Sequence, residues 1–185
     1  MKSFLEFIAE ATDRSKNTHM LHVEDLVLYG GVKGAREAIN ALSSMAKMLQ
    51  GHSSSRFDTT VKWDGAPAVF AGIDPGDGQF FVAKKGIFNK EPKLYKSVAD
   101  VKADTSGDLQ KKLTIAYTEL KKLGIKNIIQ GDIMFTANDL KTTDIDGEKN
   151  ITFHPNTIMY AVPVDSKLGK KIAKSKLGVI FHTEY

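Results

Sequence analysis

The spacing of apolar residues changes character at Gly51, and that change constrains the fold more than any other feature of the chain. Before it, Ala35, Ala38, Ile39, Leu42, Met45, Ala46 and Leu49 recur every three or four residues. This places them on one face of a helix over roughly 32–50. Gly51 is a suitable stop, because glycine readily takes the left-handed conformation that ends helices. After it the apolar runs shorten to strand length, at 57–62 and 68–72, with Gly65-Ala66-Pro67 as a turn between them. Asp74-Pro75-Gly76-Asp77-Gly78 is a hairpin-type turn, and 79–84 is the returning strand. Residues 57–85 therefore predict an antiparallel meander.

Further along, Leu109, Leu113, Ala116, Leu120 and Leu123 predict a second helix over 108–123, closed by Gly124. Residues 127–135 read as a buried strand, 141–150 as a polar, acidic turn around Asp146-Gly147, and 157–164 and 177–183 as two more strands. Residues 20–28 form a short helix or strand that Tyr29-Gly30-Gly31 breaks. At the start, Phe4, Leu5, Phe7 and Ile8 make a short amphipathic helix, followed by a polar tether. The expected architecture is α+β, with a mainly antiparallel sheet and flanking helices. The expected organisation is an N-terminal helix and tether over 1–19 and one domain over 20–185. A chain of 185 residues buries enough apolar surface to fold without staples.

Composition excludes several chemistries. With no cysteine there is no disulfide framework, no thiolate zinc site and no cysteine nucleophile. The five histidines lack zinc-site spacing, the glycines form no dinucleotide or Walker-type motif, and the acidic loop lacks EF-hand spacing. No apolar run approaches the ~18 residues of a membrane span. The first ten residues are too short and too acidic for a secretory signal. Neither a membrane partner nor secretion is expected. Lys+Arg exceeds Asp+Glu by 26 to 22, and all but three of the basic residues are lysine. That excess fits a phosphate-bearing partner and equally fits plain solubility.

The segment with chemical content is Val61-Lys62-Trp63-Asp64-Gly65. A lysine at a strand end, before a tight turn, is presented at the head of a pocket. Its amine attacks phosphorus only when neutral, so burial or neighbouring cations must lower its pKa. Lys84 and Lys85, at the end of the next strand, supply such cations or neutralise a polyphosphate, and Gly86 permits close backbone approach.

Lys62-Trp63-Asp64-Gly65 resembles the KxDG nucleotidyl-acceptor motif of ATP-dependent DNA and RNA ligases and mRNA capping enzymes. Ala83-Lys84-Lys85-Gly86 resembles the next motif of that superfamily, and Ile129-Gln130-Gly131-Asp132-Ile133-Met134-Phe135 resembles the third. The resemblance implies a ligase-type, ATP-grasp-like nucleotidyltransferase core that uses ATP and Mg²⁺. Lys62 would form a lysyl-AMP and hand it to nucleic-acid 5′-phosphate ends, DNA or RNA. Trp63, Asp64, Gly65, Lys84, Lys85 and Gly86 would line the nucleotide site. Asp132 would bind ribose or metal, and Tyr160 would stack on the purine. Two departures stand out. Leu177 occupies the place of the glutamate of the fourth motif, and Lys174-Ser175-Lys176 precedes the point where a Lys-x-Lys should follow. The stop at Tyr185, directly after a strand, reads as a core lacking its C-terminal part.

A second resemblance lies in MKSFLEFIAEA. It is similar to the capsid-targeting peptides of internal head proteins in T4-like phages, and most of the chain, including Lys33-Gly34-Ala35-Arg36-Glu37-Ala38-Ile39-Asn40 and residues 62–75, resembles an uncharacterised protein of T4-like marine phages. Ile8-Ala9-Glu10 would be the prohead-protease site, with the phage scaffold and that protease as partners. The location implied is the host bacterial cytoplasm or the virion interior. The alternative function is a non-catalytic head protein, or a nucleotide- or nucleic-acid-binding module that keeps a ligase-like core.

Overall fold

Strand pairing around one buried apolar run organises the larger part of the chain. A computed structural model describes residues 23–51 and 63–185. These fall into two compact units, and the division between them lies at Lys62–Trp63. The helical segment makes its contacts largely within itself. Lys62, the expected strand 57–62 and Ile8-Ala9-Glu10 lie outside the described residues.

The first unit is helix α1 (Val23–Leu49). It combines the expected short segment and the long helix, with the break at Gly31, whose φ of 55° and ψ of −145° are non-helical. Glu24 and Asp25 in its first turn and Lys47 in its last complement the helix dipole. Gly51, with φ 81°, follows its end as expected.

The second unit is α+β with antiparallel sheets. Strands β1 (Ala68–Ile73) and β2 (Phe80–Ala83) form the predicted hairpin, with Ile73 opposite Phe80. Asp74 shapes its turn: Oδ1 accepts from the Gly76 amide at 2.8 Å, and Gly78 takes a positive φ of 72°. A single 3₁₀ turn follows at Lys85–Phe88. Helices α2 (Val98–Asp104) and α3 (Gly107–Leu120) come next, then β3 (Ile129–Thr136). Strands β4 (Lys141–Ile145), β5 (Glu148–Phe153) and β6 (Tyr160–Pro163) lead to α4 (Lys167–Lys174) and β7 (Leu177–Glu184).

Four strands make one antiparallel sheet in the order β2-β1-β3-β7, and β4-β5-β6 make a second. β1 lies inside its sheet and is buried on both faces, which is why it reads as a continuous apolar run. Val69, Ala71, Val82 and Ile133 pack with Val101, Leu113, Ala116 and Leu120 of α2 and α3. Phe70, Phe81 and Ala83 point to the other face, with Ile87 and Ile128. A third cluster joins the two sheets to α4 through Met134, Phe135, Phe153, Val162 and Ile172.

The segment 141–150 departs from its expected form. It is a hairpin, with Asp146 and Gly147 both at positive φ, 53° and 83°, in a two-residue turn of the mirror-image type. No helix among the described residues is long and apolar enough to cross a membrane.

Candidate functional site

The register of the four-stranded sheet gathers the separate sequence motifs at one end. Ala68 at the start of β1 lies opposite Asp132 on β3, and Phe70 lies opposite Ala83 near the end of β2. The Trp63-Asp64-Gly65 loop, which leads into β1, is fastened to β3 by two backbone hydrogen bonds. Ala66 N donates to Ile133 O at 3.1 Å, and Ile133 N donates to Pro67 O at 3.0 Å. Gly65 lies so close to β3 that a Cβ there would sit 2.8 Å from Asp132 Cβ, 2.8 Å from Met134 Sδ and 2.9 Å from Ile133 O. Only glycine allows this approach without a shift, so the loop and Asp132 are neighbours by construction.

The small sheet holds the loop from the other side. The Tyr160 hydroxyl accepts from the Asp64 amide at 2.8 Å and donates to the Asp64 carbonyl at 3.0 Å. Asn156 Nδ2 donates to Asp64 Oδ2 at 2.8 Å. Trp63 stacks on Tyr160 with centroids 5.0 Å apart and planes 11° from parallel, and Tyr160 stacks on Phe153 at 5.5 Å and 15°. The expected purine platform is therefore already engaged by two protein rings. Tyr160 acts as a clamp on the Asp64 loop rather than as an open surface for a base.

His182 lies beside Asp132, its Nε2 3.9 Å from Oδ1. The cause is a β-bulge. Gln130 pairs with Thr183 and Gly131 with Phe181, so His182 is the extra residue on β7. Such bulges re-aim side chains locally. No group of three or more His, Asp or Glu side chains able to hold a metal ion occurs among the described residues.

A model of the family of unknown function DUF6267 matches residues 17–185. The chain belongs to that family. No curated protein and no solved structure matches it.

In this DUF6267 chain the second basic motif is only partly directed at the loop. Lys84 lies on the face covered by α2, its Nζ 3.2 Å from Asp104 Oδ2, whereas the neighbouring Ile133 side chain puts Asp132 on the opposite face. Asp104 also accepts from Lys93 and, at 2.6 Å, from the Tyr95 hydroxyl. The hydrogen bonds from Lys93, Tyr95 and Lys84 hold the Asp104 carboxyl well below its usual range. Burial and that carboxylate push the Tyr95 phenol above its ordinary value. Lys84 is thus tied into a structural ion-pair cluster. Lys85 is exposed at the start of the 3₁₀ turn. A Cβ on Gly86 would meet only Asn89 Nδ2 at 3.6 Å, so the fold itself does not require glycine there.

Two site residues escaped the sequence reading. Asn156 sits in a polar loop with no pattern to single it out, and His182 reads as an isolated histidine until the bulge is known. Tyr160→Phe removes both hydrogen bonds to Asp64 while keeping the ring stack. It is expected to destabilise the unit by about 1 kcal/mol and to speed exchange of the Asp64 amide. Urea denaturation with hydrogen-exchange measurement checks this, and unchanged exchange at Asp64 would contradict the clamp.

Proposed function

We propose that the protein is a nucleotidyltransferase of the ATP-dependent ligase type, with Lys62 as the adenylyl acceptor. The observation that carries this reading is the seating of the Trp63-Asp64-Gly65 loop on β3 beside Asp132. Two motifs that resemble ligase-type patterns come in the order that chemistry needs, and the strand that follows the Trp63-Asp64-Gly65 loop pairs with the strand that carries Asp132. Lys62 precedes that loop by one peptide bond.

In the proposed reaction the neutral Lys62 amine attacks the α-phosphorus of ATP. A P–N bond forms, the bond from the α-phosphorus to the bridging oxygen breaks, and pyrophosphate leaves with the electron pair while the amine loses a proton to solvent. A nucleic-acid 5′-phosphate oxygen then displaces the lysine, and a 3′-hydroxyl displaces AMP to seal the strand. Asp132 and the exposed Lys85 address the nucleotide. Mg²⁺ commonly binds through one or two carboxylates together with substrate phosphates, so a single carboxylate at Asp132 fits that mode. The ion would neutralise triphosphate charge as pyrophosphate departs.

The test is incubation with α-labelled ATP and Mg²⁺, followed by denaturing electrophoresis. Wild type is expected to carry a covalent label, and Lys62→Ala less than about one-hundredth of it. An unlabelled wild type, or equal labelling of the variant, rules the reading out.

One observation favours a second reading, a non-catalytic binding protein. Leu177, at the place of the fourth-motif glutamate, packs against the apolar cluster between the sheet and α3. A chain that binds ATP reversibly, with no covalent label, is the outcome that this reading predicts.

A further inference from the structure

The chain's basic excess is concentrated in one place. Residues 165–176 carry five lysines against one aspartate, and the rest of the chain carries 21 basic and 21 acidic residues. The net charge of +4 is therefore the charge of α4 and its flanks.

The fold presents that charge outward. Gly169 packs so tightly on the end of β6 that a Cβ would lie 2.1 Å from Pro163 O. Ser166 caps the helix, its Oγ accepting from the Gly169 amide at 2.9 Å and donating to Pro163 O at 2.7 Å. Ile172, 6% exposed, is the apolar anchor. With the helix rotation set by these contacts, Lys167, Lys170, Lys171 and Lys174 are all exposed. None of the four has a carboxylate within 4.0 Å among the described residues, and Lys176 has only Glu119 at 3.9 Å. The spacing i, i+3, i+4, i+7 puts the four on one stripe, about 10 Å long at 1.5 Å per residue. That length spans about three nucleotide steps of a strand.

The stripe borders the candidate site. Lys171 and Leu168 form one side of a cavity of about 300 Å³ whose other walls include Trp63, Met134, Phe153 and Ile180. We infer that the lysine face of α4 is a polynucleotide-backbone docking surface that leads a strand to the Trp63-Asp64-Gly65 loop. The choice of a polynucleotide among polyanions rests on the nucleotidyl-transfer reading of that loop. A membrane-surface helix needs a free apolar face opposite its lysines. Here that face is buried on the small sheet, and the apolar residues left out are Leu168, at 47% exposure, and the small Ala173.

The experiment is fluorescence anisotropy of the full chain with a labelled single-stranded oligonucleotide of about 20 nucleotides, without ATP, between about 50 and 200 mM salt. The variant Lys167→Gln/Lys170→Gln/Lys174→Gln is compared with Lys102→Gln/Lys111→Gln/Lys126→Gln, which removes the same charge elsewhere. The α4 variant is expected to bind at least about tenfold more weakly, with a log affinity–log salt slope shallower by about 2. The control is expected to stay within about twofold of wild type, and arginine at the three α4 positions is expected to restore binding. Circular dichroism melts confirm that each variant is folded.

The proposal is overturned if wild type does not bind the oligonucleotide or if both triple variants weaken equally. It is also overturned if wild type instead binds phosphatidylserine vesicles through the same lysines. Labelling of Lys62 is read without nucleic acid, so the two readings fail separately. Binding without labelling defeats only nucleotidyl transfer, and labelling without binding defeats only the docking surface.

Discussion

On the nucleotidyltransferase reading proposed above, Gly65→Ala is expected to slow lysyl-adenylate formation about a hundredfold, a loss in the range that misplacing a reacting group by an ångström produces. The added Cβ would meet Asp132 Cβ and Met134 Sδ at 2.8 Å and Ile133 O at 2.9 Å. The methionine can swing away, but the carbonyl belongs to the β3 ladder and cannot. The loop therefore lifts, and the Ala66–Ile133 hydrogen bond that pins it lengthens or breaks. The accompanying loss of stability should be modest, about 1–3 kcal/mol, as for other overpacked sites. Single-turnover labelling with α-labelled ATP, paired with urea denaturation, separates the two effects. Gly86→Ala is the informative control, since its Cβ would meet nothing nearer than 3.6 Å and should leave the fold unchanged. Labelling of Gly65→Ala at the wild-type rate would show that close seating on β3 is not what the chemistry requires.

Phe153→Ala is expected to be the most destabilising of the proposed substitutions, by about 3–5 kcal/mol. Phe153 is 1% exposed. It packs against Phe135 of β3 with ring centroids 4.9 Å apart, and it supports Tyr160 by stacking at 5.5 Å. Removing it opens a cavity where the small sheet meets the large one, and it takes away the support of the Tyr160–Trp63 stack. Urea denaturation measures the loss directly. Phe153→Leu keeps most of the volume and should lose about half as much or less. A loss below about 1 kcal/mol for the alanine variant would mean that this ring does not join the sheets.

The parts of the fold that were legible in the sequence share one property: each carries its signal within a single element, as a helical apolar stripe or as a short continuous apolar run between turn residues. The helix after Gly31, the β1–β2 hairpin, α3 and β3 all present that signal, and each is found within a few residues of its expected bounds. The missed elements lack it. β4 is exposed along nearly its whole length, so it has no alternation, and only its pairing with β5 makes it a strand. α2 buries Val101 alone, and α4 buries only Gly169 and Ile172 among its lysines. In both helices a single apolar contact replaces a stripe.

The candidate site divides the same way. Residue type and motif order were readable: a lysine before an Asp-Gly turn, a basic pair and a strand acid. Position was not. Sequence order put Lys84 beside the phosphate site, but strand alternation turns it toward Asp104. Tyr160 looked free to stack on a base, but it closes on Trp63 and Asp64 from 97 and 96 residues away. His182 reaches Asp132 only because β7 holds one residue more than β3 at that point.

By itself the sequence determined the antiparallel α+β class, the motif order and where the excess charge lies, because each is written in local spacing or composition. The tertiary structure alone decided which side chains meet. Contacts between residues 50 to 100 apart depend on sheet register, bulges and the face each residue takes, and a one-residue change in any of these sends a side chain to the other side of the sheet.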